Sequence, residues 1–342
     1  MIEARIYNQS LELQGIIDEF SSLIWIRRYN EPGEFEIHAP YSSINKTLLV
    51  KENVIQRFNN LTDFEAGVIE YLDMTENEIV AKGRFLESYL DRRIIKETTY
   101  YTGTAENSMR RIVTDMVAIP RLSLGSNHGL DVTLEFQVTY KNILRTMKKI
   151  AKATGLGFRI IPDFTLKTLT FDVYKGTDRT MSTSAPVIFS ETFDNLSEEE
   201  YQYDSTSYKT KAFVTTGEGN NRIVYSTGSG SGLDLREMHV ASSVDTSDLT
   251  TTEIEAAMIQ EGQDALAKNT EFESFTFTTE DGTFAYREDY DVGDIVSVRH
   301  NAWGYINSFR ITAIEEDYEE GGTSIVLTCG TTAPETVDFE EE

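Results

Sequence analysis

The sequence predicts a β-rich α+β protein, and three observations carry that prediction. Aromatic residues make up 11% of the 342 residues, with 17 Tyr and 18 Phe, which favours sheets over a helical bundle. Apolar and polar residues alternate over several short runs bounded by turn residues. A few longer runs change to helical spacing. Because a chain of this length exceeds a single hydrophobic core, we expect two or three domains.

Residues 22–40 are the most informative stretch, and they predict a β-hairpin with a charged first strand. Phe35 and Ile37 alternate with charged residues at the spacing of a half-buried strand. Between the strands, Pro32 and Gly33 supply turn chemistry, since proline presets φ and glycine accepts a positive φ.

Further strands are expected at Val68–Leu72 and Glu78–Leu86, around a polar turn. Short strands with regular turn signals, as in residues 1–95, are typical of a small barrel or sandwich.

The middle of the chain predicts two helices and a hairpin. The first helix spans residues 105–117, with Thr104 as its N-cap. We expect Thr139 to cap the second helix, and Gly155 suits the left-handed residue that ends it. Strands on either side of Pro162-Asp163 then pair as a hairpin.

The second helix carries a basic face opposite its apolar face. Its basic side chains are Lys141, Arg145, Lys148, Lys149 and Lys152. A solvated outer face is one interpretation, and docking against an acidic surface of a neighbour is the other. Nothing beside this helix suggests base recognition.

A last helix is expected over residues 252–268, where Thr252 and Glu255 have the spacing of a capping box. Strands follow over Phe272–Thr331. The acidic residues 336–342 predict a disordered tail.

The net charge of −26 is unevenly distributed. Residues 1–95 carry a net −6, residues 96–185 carry +5 and residues 186–342 carry −25. Phosphate binding depends on Lys and Arg, so this balance argues against specific nucleic-acid binding.

No catalytic constellation emerges from the sequence, and we expect no enzyme activity, cofactor or metal site. The four His residues lack ligand spacing, and the carboxylates of Asp289–Asp294 lack the pattern of a calcium loop. Cys329 lies in an apolar alternating run, so a buried structural thiol is expected. No run has the length of a membrane span, and we expect no membrane insertion by this chain.

Four stretches of the sequence resemble the tail-hub, or baseplate-hub, proteins of siphophages and prophages. The first is the hairpin, with Trp25-Ile-Arg-Arg-Tyr29 and Pro32-Gly-Glu-Phe-Glu36. The second is residues 82–93, which resemble the close of the first barrel in this family. The third is the helix and strand over residues 139–160, and the fourth is residues 286–298 followed by Arg310-Ile311 and Gly330. Their order along the chain follows that of the family.

This resemblance implies two barrel-like tube domains, an inserted α+β domain and a small C-terminal β region. The corresponding bounds are 1–95 for the first tube domain, 96–185 for the insert, 186–335 for the second tube domain and 336–342 for the tail. The family's members form homotrimers at the distal end of the tail of the virion.

The resemblance also implies a function and a set of partners. The chain would connect the distal tail protein to a tail fibre, spike or receptor-binding protein, contact the tape measure protein, close the tube and form the DNA exit passage. Arg27, Arg28 and Glu34 are then candidate subunit-interface residues, although a solvated arginine pair is the simpler interpretation.

A second function class remains open from the residues alone. Aromatic and carboxylate side chains suit sugars, so the chain is alternatively a monomeric carbohydrate-binding or glycoside-cleaving protein. The mass in solution distinguishes the two, because a hub forms a trimer.

Overall fold

The computed structural model describes residues 2–59, 64–116, 118–242, 244, 249–279, 283–319 and 321–330. Strands predominate within these residues, which confirms the predicted β-rich composition with a smaller helical part. They divide into two compact units. The first contains the chain up to residue 200 together with the residues after 274, and the second contains residues 201–274.

One large sheet organises the first unit. In the order of their hydrogen bonding, its strands are β15 (Leu196–Asp204), β19 (Phe272–Thr279), β22 (Gly322–Gly330), β21 (Tyr305–Glu319), β3 (Ser22–Arg28), β4 (Glu34–Pro40), β7 (Glu78–Phe85), β6 (Ala66–Met74), β5 (Val54–Phe58), β1 (Glu3–Tyr7) and β2 (Leu13–Ile17). Three further strands branch from β21: β20 (Ile295–His300) pairs with it, and β13 (Asp178–Arg179) and β14 (Ile188–Ser190) pair with β20.

The predicted hairpin is confirmed as β3 and β4, which pair antiparallel from Ser22 opposite His38 to Ile26 opposite Glu34. On its other edge, β3 pairs antiparallel with β21, a strand from the last part of the chain. The first and last parts of the chain therefore share one continuous sheet.

Two short helices accompany these strands, α1 (Ser43–Leu48) and a 3₁₀ helix (Leu86–Arg92). Among the described residues the hydrogen-bonded order runs from β15 to β2 without closing on itself. The closed barrels implied by the resemblance are therefore not seen here and remain a proposal.

The middle of the chain contains both predicted helices. Its elements are β8 (Thr99–Thr104), α2 (Ala105–Met116), β9 (Leu122–Leu124), β10 (Thr133–Val138), α3 (Ile143–Thr154), β11 (Gly157–Asp163) and β12 (Thr168–Tyr174). The predicted N-cap is confirmed, because the Thr104 hydroxyl accepts a hydrogen bond from the Asn107 N–H at 3.3 Å. The predicted last residue of this helix, Val117, lies outside the described residues.

Helix α3 begins later than predicted. Its N-cap is Asn142, whose side chain accepts from the Arg145 N–H, and not Thr139. The backbone at Tyr140 has φ 47°, which interrupts any helix that begins at Thr139. The predicted end is confirmed, since Gly155 adopts φ 67°.

The second unit is a small sheet covered by one helix. Its elements are β16 (Lys211–Thr216), β17 (Ile223–Gly228), β18 (Glu237–Ala241) and α4 (Thr251–Lys268). The capping box of α4 pairs Thr250 with Glu253, so the predicted pair of Thr252 and Glu255 is wrong by two residues. Both pairs have the spacing of a capping box, and spacing alone does not choose between them.

Cys329 lies fully buried in the core around β20, β21 and β22, as expected. The predicted tail, residues 336–342, lies outside the described residues.

Candidate functional site at the N-terminal hairpin

The two arginines of the hairpin lie on opposite faces of β3, because side chains alternate along a strand. Arg27 follows Leu23 and Trp25 on the buried face and is only 5% exposed. Arg28 lies on the half-buried face. Neighbouring arginines of the sequence therefore have different environments.

Arg27 binds groups from two distant parts of the chain. Its Nε lies 2.7 Å from Oε1 of Glu65, and its guanidinium forms an ion pair with Asp291. It also donates a hydrogen bond to the Tyr286 hydroxyl at 2.9 Å. The Arg27 charge thus joins residues of the N-terminal part to residues close to β20.

Glu316 on β21 is the centre of a second group of charged and hydroxyl side chains. It forms ion pairs with Arg57 and with Arg287, the latter at 3.2 Å. It also accepts hydrogen bonds from the hydroxyls of Tyr286, at 2.8 Å, and Tyr318. Glu316 is 2% exposed, and Arg57 is 3% exposed, so water does not replace these partners.

We call these residues the buried charge network: Arg27, Arg57, Glu65, Tyr286, Arg287, Asp291, Glu316 and Tyr318. Three guanidinium groups face three carboxylates within it. Buried charges are tolerated when they are paired and hydrogen-bonded in this way.

The pKa values of Glu65, Tyr286 and Tyr318 keep each of these three groups in one protonation state at neutral pH. Burial raises the pKa of Glu65, but the charges of Arg27 and Arg287 outweigh burial, and the pKa falls to about 2. Burial raises the pKa of Tyr286 and of Tyr318 above the ordinary tyrosine value. At neutral pH the carboxylate of Glu65 is charged and both hydroxyls keep their protons. The arrangement suits a structural clamp rather than proton transfer.

The hairpin turn binds the middle of the chain through backbone groups. The Tyr29 hydroxyl donates to the carbonyl of Gly155 at 3.0 Å and accepts from the Gly176 N–H at 3.1 Å. The side-chain amide of Asn30 donates to the Leu156 carbonyl at 2.8 Å. These contacts place the turn against the C-terminal end of α3.

Arg28 and Glu34 form the more exposed part of the hairpin. Arg28 pairs with Glu31 and with Glu34, both at 3.2 Å. Glu31 also pairs with Lys148 of α3 at 2.5 Å. The side chain of Glu34 is 38% exposed. The structure thus brings together Arg28 and Glu34, and it places Arg27 inside the chain.

Sequence reasoning missed most of the buried charge network. The position of Arg27 in the strand indicates that it is buried, because side chains alternate along β3 and Arg27 lies on the same face as Leu23 and Trp25. Glu316 has the same signal, since it lies in phase with buried Ile314 and Tyr318 on β21. A charged residue in phase with the buried residues of a strand predicts an internal partner, but it does not identify that partner.

The carboxylates of Asp289–Asp294 have protein partners. Asp294 accepts from the Thr177 N–H and from Arg179, each at 2.7 Å. Among the described residues, no group of three or more His, Cys, Asp or Glu side chains is arranged to hold a metal ion. No helix in the described part of the chain is both long and apolar enough to cross a bilayer.

Three solved tail proteins have a similar fold over nearly the whole chain. A tail protein from Neisseria meningitidis MC58 has a TM-score of 0.61 at 12% identity, with 96% of each chain covered. The 43 kDa tail protein of prophage MuSo2 from Shewanella oneidensis has a TM-score of 0.59 at 13% identity, covering 96% of this chain and 98% of that one. The prophage tail protein gp18 from Listeria monocytogenes EGD-e has a TM-score of 0.52 at 14% identity, with 97% and 95% covered.

No curated protein matches the sequence. The family model described as Siphovirus ReqiPepy6 Gp37-like protein matches residues 3–331, which is almost the entire chain. The resemblance to phage tail proteins is therefore confirmed, and the chain belongs to this siphovirus family of tail proteins.

Proposed function

We propose that this protein is the structural hub at the distal end of a phage tail. It connects the distal tail protein to a fibre, spike or receptor-binding protein, closes the tube and forms the DNA exit passage. The observation that carries the proposal is the match to tail-protein folds from end to end, together with the family membership over residues 3–331. We propose a structural role without catalysis.

The proposed assembly is a homotrimer in which each chain contributes two barrel-like tube domains. Among the described residues, the sheet of one chain ends in two edge strands, β15 and β2. Leu13 and Ile16 of β2 are 54% and 42% exposed. Natural proteins usually cover such edges, and a ring of chains around an axis would cover them.

The acidic composition fits the proposed passage. Each chain carries a net −26, so a ring of copies would have a strongly anionic interior or exterior. An anionic wall repels the phosphates of DNA and prevents adhesion during passage. This function needs no specific nucleic-acid binding and no contact with a membrane.

The subunit-contact role of Arg27, Arg28 and Glu34 remains part of this proposal, with one role for Arg27 and another for Arg28 and Glu34. In this proposal the 38% exposed Glu34, held by Arg28, contacts a neighbouring subunit, whereas the buried Arg27 acts from inside by fixing β3 in the sheet. Replacing Arg27 should therefore lower the stability of the folded chain, whereas replacing Arg28 should weaken the contact between subunits.

Two measurements test the proposed function. The mass of the purified chain in solution should be three times that of one chain, and a tag on the chain should be imaged at the distal end of isolated tails. A monomer that binds or cleaves carbohydrate would support the alternative function. A tag found along the tube or in the capsid would contradict the hub.

A further inference from the structure

Helix α3 and the residue before its cap expose a row of cations. Lys141, Arg145, Lys149 and Lys152 are spaced three or four residues apart, so they lie on one side of the helix. All four are exposed. Within the described residues, Lys141, Arg145 and Lys152 form no ion pair. The exposed row, which we call the basic stripe, belongs to the only part of the chain with a positive net charge, residues 96–185.

An acid-rimmed groove lies elsewhere in the first unit. It encloses about 1350 Å³ and is floored by the buried charge network. Four exposed carboxylates line it: Asp18, Glu19, Glu288 and Glu319. In the part of the chain that the structure describes, none of these four forms an ion pair.

The lining of this groove has an excess of carboxylates. Besides the four exposed carboxylates, Glu316, Arg57 and Arg287 line it, so five carboxylates face two guanidinium groups. This excess attracts a cation that arrives at the rim. Basic side chains are therefore the chemical class that the groove fits.

A single chain does not bring the basic stripe to the groove, because they border opposite ends of β3. Ser21, just before β3, lines the groove. Tyr29, just after β3, binds the Gly155 carbonyl at the end of α3. The seven residues of β3 separate these points by roughly 20 Å. Two copies arranged head to tail can join them.

We propose that the basic stripe of one copy docks into the acid-rimmed groove of the next copy. The inference rests on the proposed trimer and names the surfaces that build it. A ring requires a heterologous contact between two different surfaces of the same chain, and these two surfaces have opposite charge. The contact is electrostatic at its rim, so it weakens as ionic strength rises.

Charge reversal on each side, followed by reversal on both, tests the contact. The stripe variant is Arg145→Glu with Lys152→Glu, the groove variant is Glu19→Lys with Glu288→Lys, and the third variant combines all four. We expect each single-sided reversal to raise the dissociation constant of the trimer by about 100-fold or more, since like charges then face each other. The combined variant should regain the trimer.

The control for the stripe variant is Lys46→Glu with Lys51→Glu, two exposed lysines outside the stripe, which makes the same change in net charge as the stripe variant. Light scattering at several salt concentrations gives the mass of every variant, and circular dichroism checks that each one is folded. A control variant that remains a trimer separates a specific contact from a general effect of charge.

The outcomes distinguish this inference from the proposed function. A wild-type trimer that survives both single-sided reversals would overturn the stripe and groove contact and leave the hub intact. A wild-type monomer would overturn both. A stripe variant that stays trimeric but loses retention on double-stranded DNA would assign the stripe to nucleic acid instead. Failure of the combined variant to reassemble would also overturn the pairing.

Discussion

Burial raises the pKa of two carboxylates in the first unit, but their net pKa shifts have opposite signs. Glu65 faces arginines, and its pKa falls to about 2. Glu87 is 6% exposed, and one of its oxygens accepts a hydrogen bond from the Ile160 N–H of β11 at 2.7 Å. Burial raises the pKa of Glu87 to about 7, although this bond works in the other direction. The number and sign of the facing charges decide which effect wins.

Glu87→Gln should stabilise the protein at high pH only. The folded pKa of Glu87 exceeds its ordinary value of 4.5, so the folded state binds this proton more tightly than the unfolded state. Its ionisation therefore costs stability as pH rises from 4.5 through 7. Above pH 7 the cost reaches about 3 kcal/mol, which glutamine avoids while keeping the acceptor for Ile160.

Urea unfolding at pH 5 and pH 8 measures this effect. The gain of the variant over the wild type should grow between the two values. Equal gains at both would refute a raised pKa for Glu87.

The neighbouring arginines form a matched pair of variants. Arg27→Ala removes the guanidinium and leaves Glu65 and Asp291 without it, which should cost about 3–5 kcal/mol. Arg28→Ala removes a side chain that is 11% exposed, but Glu31 keeps its pair with Lys148 and Glu34 is 38% exposed, so this variant should cost less, about 1–2 kcal/mol. Denaturant unfolding of the monomeric state compares them. Similar losses in the two variants would contradict the different roles assigned to the two faces of β3.

At the scale of elements, local sequence signals predicted the presence of helices and strands more reliably than the residues at which they begin. The hairpin, helix α2 and the end of α3 could be predicted because turn residues, apolar periodicity and Gly155 act locally. The start of α3 could not, because the left-handed backbone of Tyr140 is not visible in the residue types. Thr139 and Asn142 are both good N-caps by composition alone.

The corrected N-cap of α3 makes a direct prediction. Asn142→Ala should destabilise the protein by at least about 1 kcal/mol, since Asn142 caps the helix and also donates to the Asp91 carbonyl at 2.7 Å. Thr139→Ala should cost less, because its hydroxyl donates to the Thr98 hydroxyl at an exposed position and does not cap the helix. Thermal unfolding ranks the two variants, and the reverse order would contradict the assignment of the cap.

At the scale of the whole molecule, sequence analysis could not predict the pairing of β3 with β21, a joint between the first and last parts of the chain. Both strands have a readable period-2 pattern, but nothing local identifies a partner about 290 residues away. For the same reason, sequence analysis could not predict the partners within the buried charge network. The phase of Arg27 predicts an internal partner, while Asp291 and Glu65 reach it only through the tertiary fold.

This joint predicts that the first 95 residues do not form a stable domain by themselves. A fragment of residues 2–95 lacks β21, so the edge of β3 is unpaired, and Arg57 loses Glu316. We expect no cooperative thermal transition for the fragment, in contrast with the full chain. A sharp transition, with dispersed amide resonances in the fragment, would refute this expectation.

The pairing of β3 with β21 also affects the order of events during translation. When β3 leaves the ribosome, the strand that will flank it is still about 290 codons away. At ordinary elongation rates the ribosome needs roughly 15 to 60 seconds to reach it. During that interval one edge of β3 is unpaired and Arg27 has Glu65 but not Asp291 beside it, so a prematurely terminated product keeps an exposed strand edge of the kind that promotes aggregation.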